Sequence, residues 1–198
     1  MSTVYVFGHQ NPDNDAVMSA VVLAQLLNQV GYEGNEYKAC ALGALPAESA
    51  KLLAEAGIAE PEQIKGVEAG QLVVLTDHNE SSQSVEGLKD ATVLGVVDHH
   101  RIGDFETAAP LHYIALPWGS SCTIVAKLFE VLGQELTDVQ AKLLLSAMMT
   151  DTLMLKSPTT TDVDRAIAAK LGEQLGVDPV KFGMEVFLSR PSGSFTAA

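Results

Sequence analysis

The stretch Gly8-His9-Gln10-Asn11-Pro12-Asp13-Asn14-Asp15 places one imidazole and two carboxylates in a single loop. The residues before it, Val4-Tyr5-Val6-Phe7, are β-branched or aromatic, and this composition predicts a short buried strand. After it, apolar residues recur at helical spacing over residues 17–27, and an acidic or amide side chain of the loop could cap that helix. The loop is therefore predicted at the carboxyl end of a first strand, where open α/β sheets bind their ligands.

Three further segments end in acidic or imidazole side chains. Two are continuous apolar runs that predict buried strands, at residues 72–76 and 93–97, and the third is a helical stretch at 143–149. They lead into Asp77-His78-Asn79-Glu80, Asp98-His99-His100-Arg101 and Thr150-Asp151-Thr152. Because the carboxyl ends of parallel strands lie at one edge of a doubly wound sheet, we expect these side chains to meet those of the first loop.

Each of these side chains also has a purely structural interpretation. An aspartate after a strand is usually a turn former or a helix cap, so Asp13 alone indicates a cap more strongly than a ligand. A single histidine such as His112 is more often packed or solvated than bound to a metal. The polar groups of Asp98-His99-His100 directly follow an apolar run, and burying them is costly unless something binds them. Taken together, the four acid-rich segment ends favour a metal site.

The donor types indicate which metal such a site would hold. Carboxylate oxygens dominate, one or two imidazoles accompany them, and the sequence shows no thiolate pattern. This set disfavours structural zinc and favours Mn, Mg or Co. More than four candidate ligands indicate two ions that share a bridging carboxylate, an arrangement used for in-line displacement at phosphorus. The sequence therefore predicts hydrolysis of a phosphoryl bond.

The composition limits the class of protein. The chain has 198 residues, of which 47% are apolar, and this is enough for the core of one domain. Its net charge of -13 disfavours nucleic acid as a partner, because phosphate-backbone binding needs clustered Lys and Arg. No apolar run approaches the roughly 20 residues needed to span a bilayer, so no membrane partner is expected. Cys40 and Cys122 form no motif, and we expect a reducing, cytoplasmic location.

These patterns predict an α/β fold with a doubly wound, mostly parallel, five-stranded sheet, helices on both faces and a helical C-terminal part. The strands are predicted near residues 4–7, 37–42, 72–76, 93–97 and 112–116. The acidic stretch 58–70, which contains Pro61, is predicted to be a surface connection. Ser121 and Thr137 are predicted as helix caps. Residues 1–188 are expected to form one domain, followed by a tail or linker at 189–198.

Four motifs, taken in order, carry a resemblance to a known family. They are residues 8–15, Asp77-His78-Asn79-Glu80, the segment from Asp98-His99-His100-Arg101-Ile102 to Phe105-Glu106-Thr107, and Lys156-Ser157-Pro158-Thr159. Together they resemble the catalytic domain of the family II, manganese-dependent inorganic pyrophosphatases, which belong to the DHH phosphoesterase superfamily. The resemblance extends from Val4 to about residue 188. It implies hydrolysis of inorganic pyrophosphate to two phosphates.

The resemblance also implies a ligand set for two divalent cations, with Mn preferred, Co or Mg as alternatives, and further Mg arriving with the substrate. One ion would be held by His9, Asp13 and Asp77. The other would be held by Asp15, Asp77, His99 and Asp151. Asp77 would bridge the two ions, and a water acidified by both would be the nucleophile.

Other residues of the motifs are implied to serve the substrate or the ligands. His100 would contact phosphate or act as the general acid that protonates the leaving phosphate, which suits a group that titrates near neutrality. Arg101 could be structural or could contact the substrate, and Lys156 is a further candidate contact. His78 and Asp98 are expected to orient the metal ligands.

The sequence departs from the family pattern in one respect. Family II enzymes carry a second, carboxy-terminal domain that closes over the site and brings Arg and Lys side chains onto the pyrophosphate. This chain stops before that domain, either as an excised piece or as a natural short form. Positioning and charge neutralisation supply most of phosphoryl-transfer catalysis, so we expect this chain to fold and bind two divalent ions but to hydrolyse pyrophosphate weakly or not at all.

Two other functions stay open at this point. The chain could be a different phosphoesterase of the superfamily that acts on short nucleotides or polyphosphate. It could also be a non-catalytic domain whose association responds to metal. The resemblance further implies a homodimer formed through this domain by pairing of edge strands.

Overall fold

The predicted strands form one parallel sheet. The computed structural model describes residues 1–191. Its strands are β1 (Thr3–Phe7), β2 (Glu36–Ala41), β3 (Glu62–Gln63), β4 (Leu72–Thr76), β5 (Thr92–Asp98) and β6 (His112–Ala115). They lie in the order β3-β2-β1-β4-β5-β6, and every neighbouring pair is parallel. The α/β class and the doubly wound sheet are confirmed, whereas the count of five strands is wrong.

The strand that the sequence did not predict is β3. It lies in the segment that was expected to be a surface connection. It consists of two exposed residues, Glu62 and Gln63, which pair with Cys40 and Ala41 of β2. Two polar residues after Pro61 offer neither an apolar run nor an alternation of apolar and polar residues. This strand therefore has no signal in the sequence.

The order of the strands reverses between β1 and β4. From β1 the chain proceeds outward to β2 and β3, and from β4 it proceeds outward on the other side to β5 and β6. In an open α/β sheet, connections that leave two adjacent strands in opposite directions open a crevice outside their carboxyl ends. Phe7 of β1 pairs with Leu75 of β4 at that point. The loop after β1 and the residues after Thr76 therefore border the same crevice.

The helices are α1 (Asn14–Gln29), α2 (Ala47–Glu55), α3 (Ser121–Val131), α4 (Asp138–Asp151), α5 (Asp162–Leu175) and α6 (Pro179–Leu188). Asp13 caps α1 by accepting a hydrogen bond from Ala16 N, and Thr137 caps α4 as predicted. The cap of α3 is Ser120 and not Ser121, because the backbone of Ser120 is extended and its hydroxyl accepts a bond from the first turn. Among the described residues, no helix combines the length and the apolar character needed to cross a membrane.

The two faces of the sheet are covered differently. On one face α1 packs against β1, β2 and β4, α3 packs against β5, and α4 lies against α1 and α3. On the other face, the described part of the chain has the short 3-10 helices Ser81–Gln83 and Leu88–Asp90 and their loops, which pack Val85 and Phe105 around Phe7. The connections thus cover both faces, as a doubly wound sheet requires, but the α-helices predicted for the second face are replaced by 3-10 turns.

Gly8, at the junction of β1 and the loop, is expected to tolerate no side chain. A Cβ built there would lie 2.6 Å from both the Cβ and the carbonyl oxygen of Ala16, so β1 and α1 would have to separate. We expect Gly8→Ala to lower the free energy of unfolding by about 1–3 kcal/mol, the usual cost of overpacking. Urea unfolding followed by circular dichroism measures this change.

The matched control is Gly66→Ala. A Cβ at Gly66 would lie 3.4 Å from the carbonyl oxygen of Glu86, which is an ordinary contact. The free energy of unfolding should therefore change by less than about 0.5 kcal/mol. Equal stability of the two variants would contradict the close packing of β1 on α1.

Candidate metal centre

The crevice between β1 and β4 gathers six acidic or imidazole side chains. Three of them follow strands, since His9 comes after β1, Asp77 after β4 and His99 after β5. The other three are Asp13 and Asp15 at the start of α1 and Asp151 at the end of α4. The structure thus brings together all six residues that the sequence predicted as metal ligands.

His9, Asp13 and Asp77 form the first cluster, in which one ligand atom from each residue lies within 4.8 Å of the others. His9 Nε2 lies 3.5 Å from Asp13 Oδ1 and 3.3 Å from Asp77 Oδ2. Asp13 combines the two roles that the sequence left open, because the carboxylate that caps α1 also belongs to the cluster. Its side chain is 51% exposed, so the first cluster opens to solvent.

Asp15, His99 and Asp151 form the second cluster, whose ligand atoms also lie within 4.8 Å of one another. His99 Nε2 lies 3.7 Å from Asp15 Oδ2 and 3.5 Å from Asp151 Oδ2. The same nitrogen lies 3.1 Å from Asp77 Oδ1. The two oxygens of Asp77 therefore face different clusters, Oδ2 toward His9 and Oδ1 toward His99. A carboxylate in this position can bridge two cations.

Backbone carbonyls orient both imidazoles. His9 Nδ1 lies 2.8 Å from the carbonyl oxygen of Gln10, and His99 Nδ1 lies 2.9 Å from that of Trp118. A carbonyl oxygen only accepts, so Nδ1 carries a proton and Nε2 is directed toward the carboxylates, as in metal-binding histidines. His99 Nε2 is buried and, although Asp77 Oδ1 lies 3.1 Å away, makes no hydrogen bond of good geometry among the described residues. A divalent cation would satisfy this atom, so the donor set fits a metal.

Donor groups at the amino terminus of α3 form hydrogen bonds with the carboxylate of Asp15 in the second cluster. Asp15 Oδ1 accepts hydrogen bonds from Ser120 Oγ at 2.7 Å and Cys122 N at 3.0 Å, and Oδ2 accepts one from Ser121 N at 2.8 Å. Ser121 Oγ donates to Asp77 Oδ1 at 3.0 Å. Sequence analysis missed these residues, because adjacent serines indicate only the start of a helix and backbone N–H groups leave no signal in a sequence.

Negative charge is crowded in the metal-free crevice. Burial, followed by repulsion from neighbouring carboxylates, raises the pKa of Asp15 and of Asp151. Burial would lower the pKa of His9, but hydrogen bonds to Asp13 and Asp77 outweigh it and raise this pKa to about 11. Burial would raise the pKa of Asp77, but its close contacts with the imidazoles of His9 and His99 outweigh burial and lower this pKa. Without a cation, the raised pKa values of Asp15, Asp151 and His9 therefore favour the protonated forms of these side chains.

Asp98 organises the residues that follow β5. Its Oδ1 accepts hydrogen bonds from His99 N at 2.8 Å and His100 Nδ1 at 2.7 Å, and its Oδ2 accepts one from Asn79 Nδ2 at 2.8 Å. The hydrogen bond to Asp98 raises the pKa of His100. His100 Nδ1 lies 3.8 Å from Asp77 Oδ1 and its ring is half-exposed, so this imidazole lies at the open side of the clusters.

His78 acts on the site through the backbone and not through a ligand side chain. Its Nδ1 lies 2.8 Å from the carbonyl oxygen of Thr76, and its Nε2 lies 2.9 Å from Ser84 Oγ. Burial lowers the pKa of His78 to about 4, so the ring is neutral near pH 7. These two hydrogen bonds connect the buried ring to Thr76, which precedes Asp77, and to Ser84, which follows it.

Neither of the predicted substrate cations is buried in the crevice. The Arg101 side chain is 85% exposed, and its Nη2 lies 3.2 Å from Glu80 Oε1. Lys156 is also exposed, and it follows Leu153, Met154 and Leu155, which all have positive φ. Left-handed backbone costs about 1–3 kcal/mol at each non-glycine residue, and such strain concentrates at functional sites. Both basic side chains are therefore open to solvent and are not enclosed in the crevice.

The chain matches one family model and is similar to curated proteins. A model of the DHH family, N-terminal domain, matches residues 3–154. Two curated relatives, from Exiguobacterium sp. and Streptococcus agalactiae, are 42% and 44% identical to the chain. Both are named probable manganese-dependent inorganic pyrophosphatases, and each alignment covers 94% of this chain and 60% of the relative. The chain thus spans about three fifths of the length of these relatives.

Solved structures agree with the fold. A Methanococcus jannaschii protein described as a family II inorganic pyrophosphatase superposes with a TM-score of 0.83 at 38% identity, over 94% of this chain and 61% of the other. An exopolyphosphatase-related protein from Bacteroides fragilis superposes with a TM-score of 0.72 at 17% identity, over 96% of this chain and 57% of the other. The second likeness concerns the fold alone.

Removing the carboxylate between the clusters should affect both metal sites. Because each oxygen of Asp77 faces one cluster, we expect Asp77→Ala to weaken Mn²⁺ binding at both sites by more than about 100-fold, the upper end of what losing an outer contact costs. Asp13→Ala should weaken mainly one site. Isothermal titration of the metal-free protein with Mn²⁺ measures both, with Asp162→Asn on an exposed ion pair as the charge control. Intact two-site binding in Asp77→Ala would contradict the assignment.

The metal-free protein should lose stability as the pH rises. The pKa of His9 is raised from 6.5 to about 11 on folding, so the folded state binds more protons in that window. Its contribution to the free energy of unfolding is therefore complete below about pH 6.5 and declines by at most about 1.4 kcal/mol per pH unit toward pH 11. Thermal unfolding in EDTA at pH 7 and pH 9 should show a steeper decline for the wild type than for His9→Gln. Equal slopes would contradict the raised pKa of His9.

Proposed function

Because the chain belongs to the DHH family, we propose that its crevice hydrolyses inorganic pyrophosphate to two phosphates with a pair of divalent cations. One observation carries the proposal, namely that the two oxygens of Asp77 face two separate clusters of ligand atoms. The choice of pyrophosphate rests on the names of the relatives, which match over 94% of this chain.

In this proposal each cluster holds one cation. His9, Asp13 and Asp77 bind the first, and Asp15, Asp77, His99 and Asp151 bind the second. Oxygen donors with two imidazoles favour Mn, with Co or Mg as alternatives, and the manganese dependence in the names of the relatives agrees. When bound, the two cations supply the charge that acidifies a water and offsets the phosphate oxygens, and further Mg accompanies the substrate.

His100 has the properties of a general acid in this site. Its Nδ1 is 2.7 Å from Asp98 Oδ1, and this hydrogen bond raises the pKa of the imidazole and favours its protonated form. Because the ring is half-exposed, a substrate can reach it. We assign to His100 the proton that the leaving phosphate takes up, and to Arg101 and Lys156 further contacts with the substrate.

Weak turnover is expected from the charges around the crevice. In this proposal residues 1–188 are the metal-binding domain and 189–198 a tail or linker, of which 192–198 lie outside the described residues. Arg101 is paired with Glu80 and Lys127 with Glu130, and Lys156 forms no ion pair within residues 1–191. A substrate with several negative charges therefore finds few unpaired cations near the motifs. The second domain that the family resemblance implies would supply further cations.

Three further parts of the proposal concern the oligomeric state, the substrate class and the location of the protein. Within residues 1–191, β6 pairs with β5 alone, so its outer edge offers backbone groups for the edge-strand pairing of a homodimer. A net charge of -13 favours pyrophosphate with its cations over nucleic acid. Cys40 and Cys122 are buried and free, which agrees with the reducing cytoplasm.

Phosphate release from pyrophosphate tests the proposed function directly. The purified 198-residue chain, loaded with Mn²⁺ and assayed with excess Mg²⁺, should release phosphate slowly, and chelation should abolish the release. His100→Gln should lower the rate by about 10²–10⁴-fold, as expected for loss of a general acid, and should leave Mn²⁺ affinity unchanged.

The matched control is His112→Gln, a histidine on the edge strand that contacts Tyr32 and not the clusters. Its rate should equal that of the wild type. If the wild type binds two Mn²⁺ ions and releases no phosphate, the proposed reaction is wrong. Rapid turnover by the wild type would contradict the expectation that the shortage of unpaired positive charge limits the rate.

A further inference from the structure

Asp164, in the first turn of α5, is a carboxylate with 0% exposure that belongs to neither cluster. Burying such a group is costly unless several hydrogen bonds satisfy it. Two of its bonds come from Thr161, whose N and Oγ1 donate to Oδ2 at 2.8 and 2.7 Å. The first of these forms the capping box of α5 together with the bond from Asp164 N to Thr161 Oγ1. Two more come from outside α5, from Gly119 N to Oδ2 at 2.8 Å and from Thr123 Oγ1 to Oδ1 at 2.6 Å.

The bonds from outside α5 lead to the metal centre. Gly119 belongs to the 118–121 loop, which we define as the residues Trp118, Gly119, Ser120 and Ser121. This loop supplies the carbonyl oxygen that orients His99, at 2.9 Å from Nδ1. It also supplies the hydroxyl and N–H groups of two serines that bind Asp15 at 2.7 and 2.8 Å.

The loop has little freedom to move. A Cβ at Gly119 would lie 2.7 Å from Thr152 Cγ2 and 3.0 Å from Asp164 Oδ2, so the backbone at Gly119 is pressed between α5 and the residue after Asp151. A cap for α5 alone would need neither this close approach nor the bonds to Gly119 and Thr123. The cap and the metal centre therefore share one buried carboxylate.

We infer that Asp164 is a positioning residue for the second cluster, acting through the 118–121 loop on Asp15 and His99. The inference rests on the proposed function, because it assigns Asp164 a role at the metal site proposed there. It predicts a selective effect, since the loop contacts Asp15 and His99 of the second cluster. Toward the first cluster the loop donates one hydrogen bond within residues 1–191, from Ser121 Oγ to Asp77 Oδ1, and that oxygen faces His99.

Titration of the metal-free chain with Mn²⁺, followed by electron paramagnetic resonance, tests the inference without an activity assay. Asp164→Ala should weaken one of the two sites by about 10–100-fold, the usual effect of losing an outer contact, and the other by less than about 3-fold. Asp164→Asn should restore binding, because its amide oxygen can accept from Gly119 and Thr161 while its nitrogen donates to Thr123 Oγ1.

Ile167→Ala is the matched control, since this buried residue lies one turn further along α5 and packs in the core. It should lower the melting temperature without changing either affinity. Unchanged affinities in Asp164→Ala, or equal losses in Asp164→Ala and Ile167→Ala, would overturn the inference.

Two further outcomes are decisive. If Asp164→Ala does not fold, Gly119→Ala replaces it, because its added Cβ displaces the 118–121 loop while the carboxylate stays. Selective loss of one site then supports the inference and unchanged affinities overturn it. If the wild-type chain binds no Mn²⁺, the proposed function fails and the inference fails with it. If the wild type binds two Mn²⁺ ions and Asp164→Ala binds them with unchanged affinities, the inference alone is overturned.

Discussion

The main constraint on this structure is that it holds several carboxylates, which repel one another, close together in one crevice. Asp13, Asp15, Asp77 and Asp151 all reach the carboxyl edge of the sheet, and burial and mutual repulsion raise the pKa of Asp15 and Asp151. Such a set is unfavourable unless protons or cations compensate it. The surrounding residues act as donors: two imidazoles, the amino terminus of α3 and two serine hydroxyls.

The sheet topology explains why the carboxylates meet. The strands on either side of the reversal, β1 and β4, deliver their following loops to the same edge, and β5 adds His99 next to them. Helix α4 contributes Asp151 only because it packs across α1 and α3 on the face above this edge. The clusters are thus a product of the fold as a whole, and no single segment contains a complete site.

Sequence analysis predicted the central strands and the acid-rich segment ends because these have strong signals, and the family resemblance implied the six clustered side chains. Residues 72–76 and 93–97 are continuous apolar runs, and each acidic motif follows the end of a run or helix. It could not predict β3, whose two residues are polar and exposed. Nor could it predict the carbonyl of Trp118 or the N–H groups of α3, because every residue has such backbone groups and only the fold places them. Asp164 was missed for a related reason, since Thr161 and Asp164 have the spacing of an ordinary capping box.

The clusters join residues that are far apart in the sequence, and this separation links the folding of the chain to the supply of cations. The first cluster needs β1 and β4 side by side, whereas the second stays open until β5 and α4 have also packed against them. A cation bound to the assembled clusters stabilises only the native state, by about 2.7 kcal/mol when its free concentration is 100 times its dissociation constant. Scarcity of the metal would then shift newly made chains toward proteolysis, so the abundance of the protein would follow the metal content of the cell.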